Sequence, residues 1–349
     1  MTQKKKIAVW LWIGCGMIAI MVNIGAITRL TGSGLSIVHW DVVTGVIPPL
    51  THHQWERAFR AYQQSPQYKL VNEGMTLSGF KAIFWWEFIH RLLGRTIGMY
   101  FIFQLIFFYW KGWLNKTLIR KYVAIILWVG VVGAWGWYMV KSGLINQPWV
   151  SPYRLTVHLI LALSLFSYIF WNALTLWRTD DPSVENTIPV FLKRIMSALL
   201  ILFGVQIIYG GLMSGLHGAL FFPTFPLMHG RLIPGDLFII SPFWRNFFEN
   251  GNLVNAIHRT LPWFIAILIF VFAIKGLKSF SSKSIRTATG LLVAAVVLQI
   301  TLGALTVINS TVHIPVFFAA AHQFGALIML TLLLFIGWHV LKPDRRLTE

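Results

Sequence analysis

Apolar residues along this chain gather into eight long, nearly uninterrupted stretches separated by polar connections. They fall near residues 8–29, 82–109, 122–141, 154–177, 195–214, 256–275, 287–308 and 316–341. Each is about 20 residues or longer, the length an α-helix needs to cross a hydrocarbon core of roughly 30 Å. The pattern predicts an all-α integral membrane protein with eight transmembrane helices. Two connections, at 30–81 and 215–255, are long.

Of 349 residues, 56% are apolar and only 11% are charged, too little charge to keep a soluble protein of this size dispersed. The formal net charge is +18, which taken alone would point to nucleic acid. Its distribution excludes that reading, because Lys and Arg cluster in alternate short connections. Lys4, Lys5 and Lys6 precede the first span, and Lys111, Lys116, Arg120 and Lys121 join spans 2 and 3. Arg178, Lys193 and Arg194 join spans 4 and 5; Lys275, Lys278, Lys283 and Arg286 join spans 6 and 7; Lys342, Arg345 and Arg346 follow span 8. The positive-inside rule places both termini in the cytoplasm, with the two long connections on the other side. No A-x-A-like cleavage site follows the first apolar run, so it reads as a span and not as a leader. Cys15 is the only cysteine and lies within span 1, which leaves neither an internal disulfide nor a cysteine metal site.

The second half repeats the first. "AITRLTGSGLS" ending span 1 matches "YGGLMSGLHG" ending span 5 through Ser33-Gly34-Leu35 and Ser214-Gly215-Leu216. "FIHRLLG" in span 2 matches "AIHRTLP" in span 6, and "VHLILAL" in span 4 matches "AHQFGAL" in span 8. The weakest pairing joins Gly133-Ala134 to Gly303-Ala304. Four spans per copy is an even number, so both copies keep one orientation, as parallel repeats related by an axis along the membrane normal. The expectation is two tandem four-helix bundles, residues 1–178 and 179–349, with small residues such as Gly94, Gly98, Gly130 and Gly136 allowing close helix contacts.

Of eleven histidines, His39, His52, His53, His217, His229 and His313 fall in outer loops and His339 at a cytoplasmic end, where solvated or locally bonded side chains are expected. His90, His158, His258 and His322 fall inside spans, soon after the chain enters from the outer side. An ionisable group in hydrocarbon is costly unless paired. Two imidazoles on different helices of one bundle, repeated in a second bundle, suit the two axial positions of a haem iron. Zinc or copper competes as the metal, but the spans offer no cysteine pair and one carboxylate, too few donors for a closed tetrahedral site. Arg91 and Arg259 directly follow His90 and His258, and Arg95 lies one turn beyond Arg91. They are candidate partners for haem propionates, or cations that snorkel to headgroups. Glu87 alone of the acidic residues falls within a span, three residues before His90 and so on its helical face; the second copy has Asn255 there. It reads as an ion-pair partner of Arg91 or as a proton-transfer carboxylate beside one site.

At these residues the chain resembles the haem A synthase family, in its proteobacterial and mitochondrial style. "ITRLTGSGLSIVHWDVVTGVIPPL", "FWWEFIHRLLGR", "VHLILAL", "AIHRTLP" and "AHQFGAL" carry the likeness over nearly the whole length. The resemblance implies an oxidoreductase of a bacterial cytoplasmic (inner) membrane. It would oxidise the C8 methyl of haem O to the formyl of haem A, for terminal oxidases, by two hydroxylations and loss of water. It also implies that His258 and His322 hold a haem B cofactor, that His90 and His158 take the haem substrate, and that Glu87 is essential. A haem O synthase, an electron acceptor or donor, membrane lipid and a second copy of the chain are candidate partners. Some members carry a cysteine pair in the first outer loop; this chain has none. A bis-histidine di-haem electron carrier is the alternative, and it leaves the difference between Glu87 and Asn255 without a reason.

Overall fold

The computed structural model describes residues 1–39, 44–145, 147–178 and 188–341. Lys342, Arg345 and Arg346, used above for orientation, lie outside these residues, as do Trp40, Asp41, Val42 and Val43 of the first-loop motif. In chain order the helices are α1 (Gln3–Leu30), α2 (His52–Gln63), α3 (Pro66–Leu70), α4 (Leu77–Trp110), α5 (Lys116–Gly143) and α6 (Pro152–Trp177). They continue with α7 (Val190–Gly215), α8 (Asn246–Glu249), α9 (Gly251–Ser279), α10 (Lys283–Ile308) and α11 (Val316–Leu341). Eight of them, all but α2, α3 and α8, are long and apolar enough to cross a membrane. The protein is an all-α, multi-pass membrane protein, and the only non-helical pairing among the described residues is an isolated bridge between Met228 and Arg231.

Three of the spanning helices start where sequence chemistry provides a cap. Thr76, Asn115 and Asn250 accept backbone N–H groups that open α4, α5 and α9. The spanning helices then run past the expected boundaries by a few residues, because a hydropathy window sees the apolar centre and not the capped polar turns.

The chain forms two compact units, Ile13–Phe166, and Met1–Trp12 together with Ser167–Glu349. The helix ends 1–12 and 167–178, which belong to the first half of the sequence repeat, thus group with the second unit. His90 and His158 lie in the first unit, His258 and His322 in the second.

In the first unit the long connection between α1 and α4 carries helices α2 and α3. Thr51 and Gln54 form a reciprocal capping box for α2. One face of α2 buries Trp55 and Tyr62 against Phe80, Phe84 and Phe88 of α4. The Tyr62 hydroxyl donates to Gln67 Oε1 at 3.0 Å, and Gln67 Nε2 donates to the Gly32 carbonyl at 2.8 Å. Gly32 follows α1 in the left-handed region (φ 65°), a turn that glycine makes without steric cost. Hydropathy alone left 30–81 as a connection, because α2 is apolar on one face only and polar on average.

In the second unit α7 packs on α9 and α10 on α11. Helix α9 contains Pro262. Proline has no N–H, so the carbonyl four residues earlier, that of His258, loses its helical partner.

Candidate functional site

Each spanning histidine is seated on a glycine of the preceding spanning helix. A Cβ placed on Gly25 of α1 would lie 2.9 Å from His90 Cε1, and one on Gly136 of α5 would lie 3.1 Å from His158 Cε1. In the second unit Gly210 of α7 stands 3.3 Å from His258 Cε1 by the same measure, and Gly303 of α10 stands 2.9 Å from His322 Cε1. Any larger residue would displace the imidazole, so the four glycines are cradles for rings. All four histidines are half-buried. Gly136, not Gly133, is the contact equivalent of Gly303; a Cβ on Gly133 would meet nothing within 4 Å. The sequence pairing of Gly133-Ala134 with Gly303-Ala304 is therefore almost one helical turn out of register.

His258 and His322 face each other with ring centres 6.3 Å apart and planes 79° apart. Two imidazoles bonded to one metal ion at about 2 Å each bring their ring centres on the order of 6 Å apart. The spacing fits a metal held axially between them. His90 and His158 lie close enough to interact electrostatically. Among the described residues no group of three His, Cys, Asp or Glu converges, so each unit offers an imidazole pair and no larger protein donor set. A porphyrin iron, which brings four nitrogens of its own, fits such a pair.

The two pairs differ in what holds them. Gln206 Nε2 lies 3.0 Å from His258 Nδ1 and donates to the His258 carbonyl at 3.0 Å, the carbonyl that Pro262 leaves without a helical partner. His322 Nδ1 lies 3.0 Å from the Gln299 carbonyl, while Gln299 Nε2 donates back to the His322 carbonyl at 2.8 Å and approaches His322 Nε2 at 3.5 Å. In the first unit His90 Nδ1 is buried and makes no hydrogen bond, while His158 Nδ1 has only the Val132 backbone to face, as His322 has that of Gln299, and no side-chain amide beside it.

Glu87 is 2% exposed. Its Oε2 accepts from Ser36 Oγ at 2.7 Å and from the Ile37 N–H at 2.8 Å, and its Oε1 pairs with Arg91. Arg91 also donates to the Ile37 carbonyl at 3.0 Å. Helix α4 thereby fastens the first turn of the outer loop. Asn255 takes the corresponding place in the second unit, donating to the Gly218 carbonyl at 2.7 Å, while its buried Oδ1 has no partner. Arg259 donates to loop carbonyls of Phe222 at 3.3 Å and Thr224 at 2.5 Å, and more weakly to Pro226 and Leu227. Arg91 and Arg259 thus lie against the outer-loop backbone just past each site, and Arg95 is half-buried one turn further along α4. Among the other histidines, His339 Nδ1 bonds the Phe335 carbonyl at 2.8 Å, and His217 and His229 adopt positive φ in the second outer loop. Reading by residue type missed Gln206 and Gln299; their signal was the Gln-x-x-x-Gly shared by spans 5 and 7, Gln206 with Gly210 and Gln299 with Gly303.

Fold and site define a multi-pass helical membrane protein with two glycine-seated imidazole pairs, one in each unit. The chain belongs to the cytochrome oxidase assembly protein family, which it matches over residues 8–334. It is 42% identical over 334 residues to Heme A synthase of Nitrosospira multiformis, covering 96% of this chain and 93% of that one. It is 40% identical over 331 residues to Heme A synthase of Nitrosomonas eutropha, covering 95% and 92%. The figures for Heme A synthase of Bradyrhizobium diazoefficiens are 42% over 325 residues, 93% and 88%.

Proposed function

We propose that this protein is a haem A synthase, an oxidoreductase that converts the C8 methyl of haem O to the formyl of haem A. In this reading His90 and His158, in the N-terminal half (residues 1–178), take haem O as substrate. His258 and His322, in the C-terminal half (residues 179–349), hold haem B. The observation that carries it is the asymmetry of two otherwise equivalent sites: both pairs sit on glycines, but only the first has a carboxylate beside it, Glu87, where the second has Asn255. A carrier with two equal haems has no use for that difference.

The chain's own groups do the following. Gly25 and Gly136 let His90 and His158 pack ring against helix at the places where each would meet the substrate iron. Glu87 lies one turn from His90 and keeps its charge balanced by Arg91, with Ser36 and the Ile37 N–H on the other oxygen. With water as the oxygen source, conversion of a methyl to a formyl releases protons together with electrons that pass to an external acceptor. Glu87, three residues from His90 on α4, is the carboxylate placed to take a proton there, and Arg91 donates to both its Oε1 and the Ile37 carbonyl. Arg91 and Arg259, against the loop carbonyls beside each pair, and Arg95, one turn further along α4, suit the propionate carboxylates. Haem B, when bound, supplies a one-electron redox centre. Alternating Lys and Arg connections favour both termini in the cytoplasm, and the likeness to bacterial relatives favours a cytoplasmic membrane.

The test is chromatography of haems extracted from cells that make this protein together with a haem O synthase. Formyl or hydroxymethyl haem is expected; haem B alone would favour the electron carrier.

A further inference from the structure

We propose that Gln206 and Gln299 are positioning residues that make the second imidazole pair a resident haem site, and that the lack of such residues in the first unit leaves His90 and His158 able to take and release a porphyrin substrate. The inference rests on the assignment of haem B to His258 and His322.

An imidazole that gives one nitrogen to a metal must carry its proton on the other, and a hydrogen bond to that N–H fixes both the tautomer and the ring orientation. The second unit provides this twice. The Gln299 carbonyl faces His322 Nδ1 at 3.0 Å. Gln206 Nε2 lies 3.0 Å from His258 Nδ1 and donates to the His258 carbonyl; with Nδ1 protonated the carboxamide must turn end for end, presenting its Oε1, otherwise buried without a partner, to that N–H. Gln299 Nε2 donates to the main-chain carbonyl of His322 while the Gln299 carbonyl faces the ring, so ring and helix are clasped together there.

The space for these carboxamides is built in. Gly325, three residues after His322, lies so close to Gln299 Oε1 that a Cβ there would collide with it. The residue three after His158 is Leu161. The first unit thus has Val132 and Leu161 where the second has Gln299 and Gly325, an exchange of size on both helices. For Gln206 the match depends on the point of reference. Counted from Ser-Gly-Leu it is Gly25, and counted from the glycine that touches the ring it is Met21; neither offers a hydrogen bond. The consequence in the first unit is that no side-chain amide stands behind either imidazole: His90 Nδ1 is buried without a hydrogen-bond partner and His158 faces only the Val132 backbone.

The test uses full-length protein purified in detergent from haem-replete cells. Gln206→Leu is made in a Pro262→Ala background, where the helix itself satisfies the His258 carbonyl and only the ring contact is lost. Gln299→Leu is made alone, with Val132→Leu as the matching change in the first unit. Transfer of haem B to apomyoglobin should quicken about tenfold or more in the Gln206 variant, the usual scale for loss of a partner behind a metal ligand. It should quicken by less in Gln299→Leu, which loses the carboxamide but keeps the main-chain carbonyl facing His322 Nδ1, and stay unchanged in Val132→Leu. Gln206→Glu should lower the reduction midpoint of the low-spin haem, because a carboxylate on Nδ1–H makes the ligand more basic. If the leucine variants do not assemble, Gln206→Glu decides alone, and a midpoint equal to that of the wild type overturns the proposal. A haem that His258→Ala removes, but that neither glutamine affects, overturns the proposal only. If no haem is lost on His258→Ala, the resident-site reading fails and the proposal with it.

Discussion

His90 and His258 each rest on a glycine of the preceding spanning helix, yet only His258 also meets a glutamine, and only His90 has a carboxylate one turn before it. In the second member of each pair the contrast is narrower: both rings face a backbone, of Gln299 for His322 and of Val132 for His158, and only His322 also meets a side-chain amide. A duplicated scaffold conserves what any porphyrin site needs, ring-sized gaps opposite an imidazole. On the proposed assignment, the side chains behind the imidazoles decide whether the ring is held or left adjustable, and whether a base stands by. The comparison teaches that equivalence of ligands does not mean equivalence of sites.

The largest expected effect is on turnover. Glu87→Gln removes the only spanning carboxylate, and haem A formation should fall by a factor on the order of 100 or more, the lower scale of general acid–base catalysis, with the haem B spectrum unchanged. The change also leaves Arg91 buried without its counter-charge, a loss that can destabilise by about 3–5 kcal/mol. Glu87→Gln/Arg91→Met separates the two effects: thermal stability measured in detergent should recover in the double variant while haem A formation does not. Recovery of both would make the carboxylate a structural partner of Arg91 and remove the catalytic half of the contrast.

Next comes the cradle. Gly303→Ala puts a methyl 2.9 Å from His322 Cε1, so retention of haem B on gel filtration should drop several-fold. Gly133→Ala, with open space around it, should be neutral or stabilising by about 0.5–1 kcal/mol through helix propensity. Equal effects at the two positions would return the repeat to its sequence register.

Much of this was legible in the sequence, and the failures have physical causes. The eight spans follow from hydropathy, because lipid demands uninterrupted apolar helices. The histidines stood out because charge-bearing groups are rare in hydrocarbon. Helices α2 and α3 did not, since a one-sided apolar helix is lost in a polar average. Gly133 drew the repeat alignment by its Gly-Ala likeness to Gly303-Ala304, whereas contact with a ring depends on helical phase, which selects Gly136. The glutamines were overlooked because a neutral amide in a span carries no alarm until its partner is known.

The smallest effect concerns the outer loop of the first unit. Thr51→Ala breaks the capping box of α2 and should cost about 1 kcal/mol. Limited proteolysis within 52–63 should quicken, with haem B content unchanged. Loss of haem B in this variant would mean that the loop serves the resident site as well.

The central claim, one site that turns over and one that keeps its haem, is tested most directly by crossing His90→Ala with His258→Ala in cells supplied with haem O. Each purified protein is read for low-spin haem B and each extract for formyl haem. The account predicts that His90→Ala retains haem B and makes no haem A, while His258→Ala has lost haem B from the purified protein. Loss of the same haem from both variants, or haem A formation that persists in His90→Ala, would contradict it.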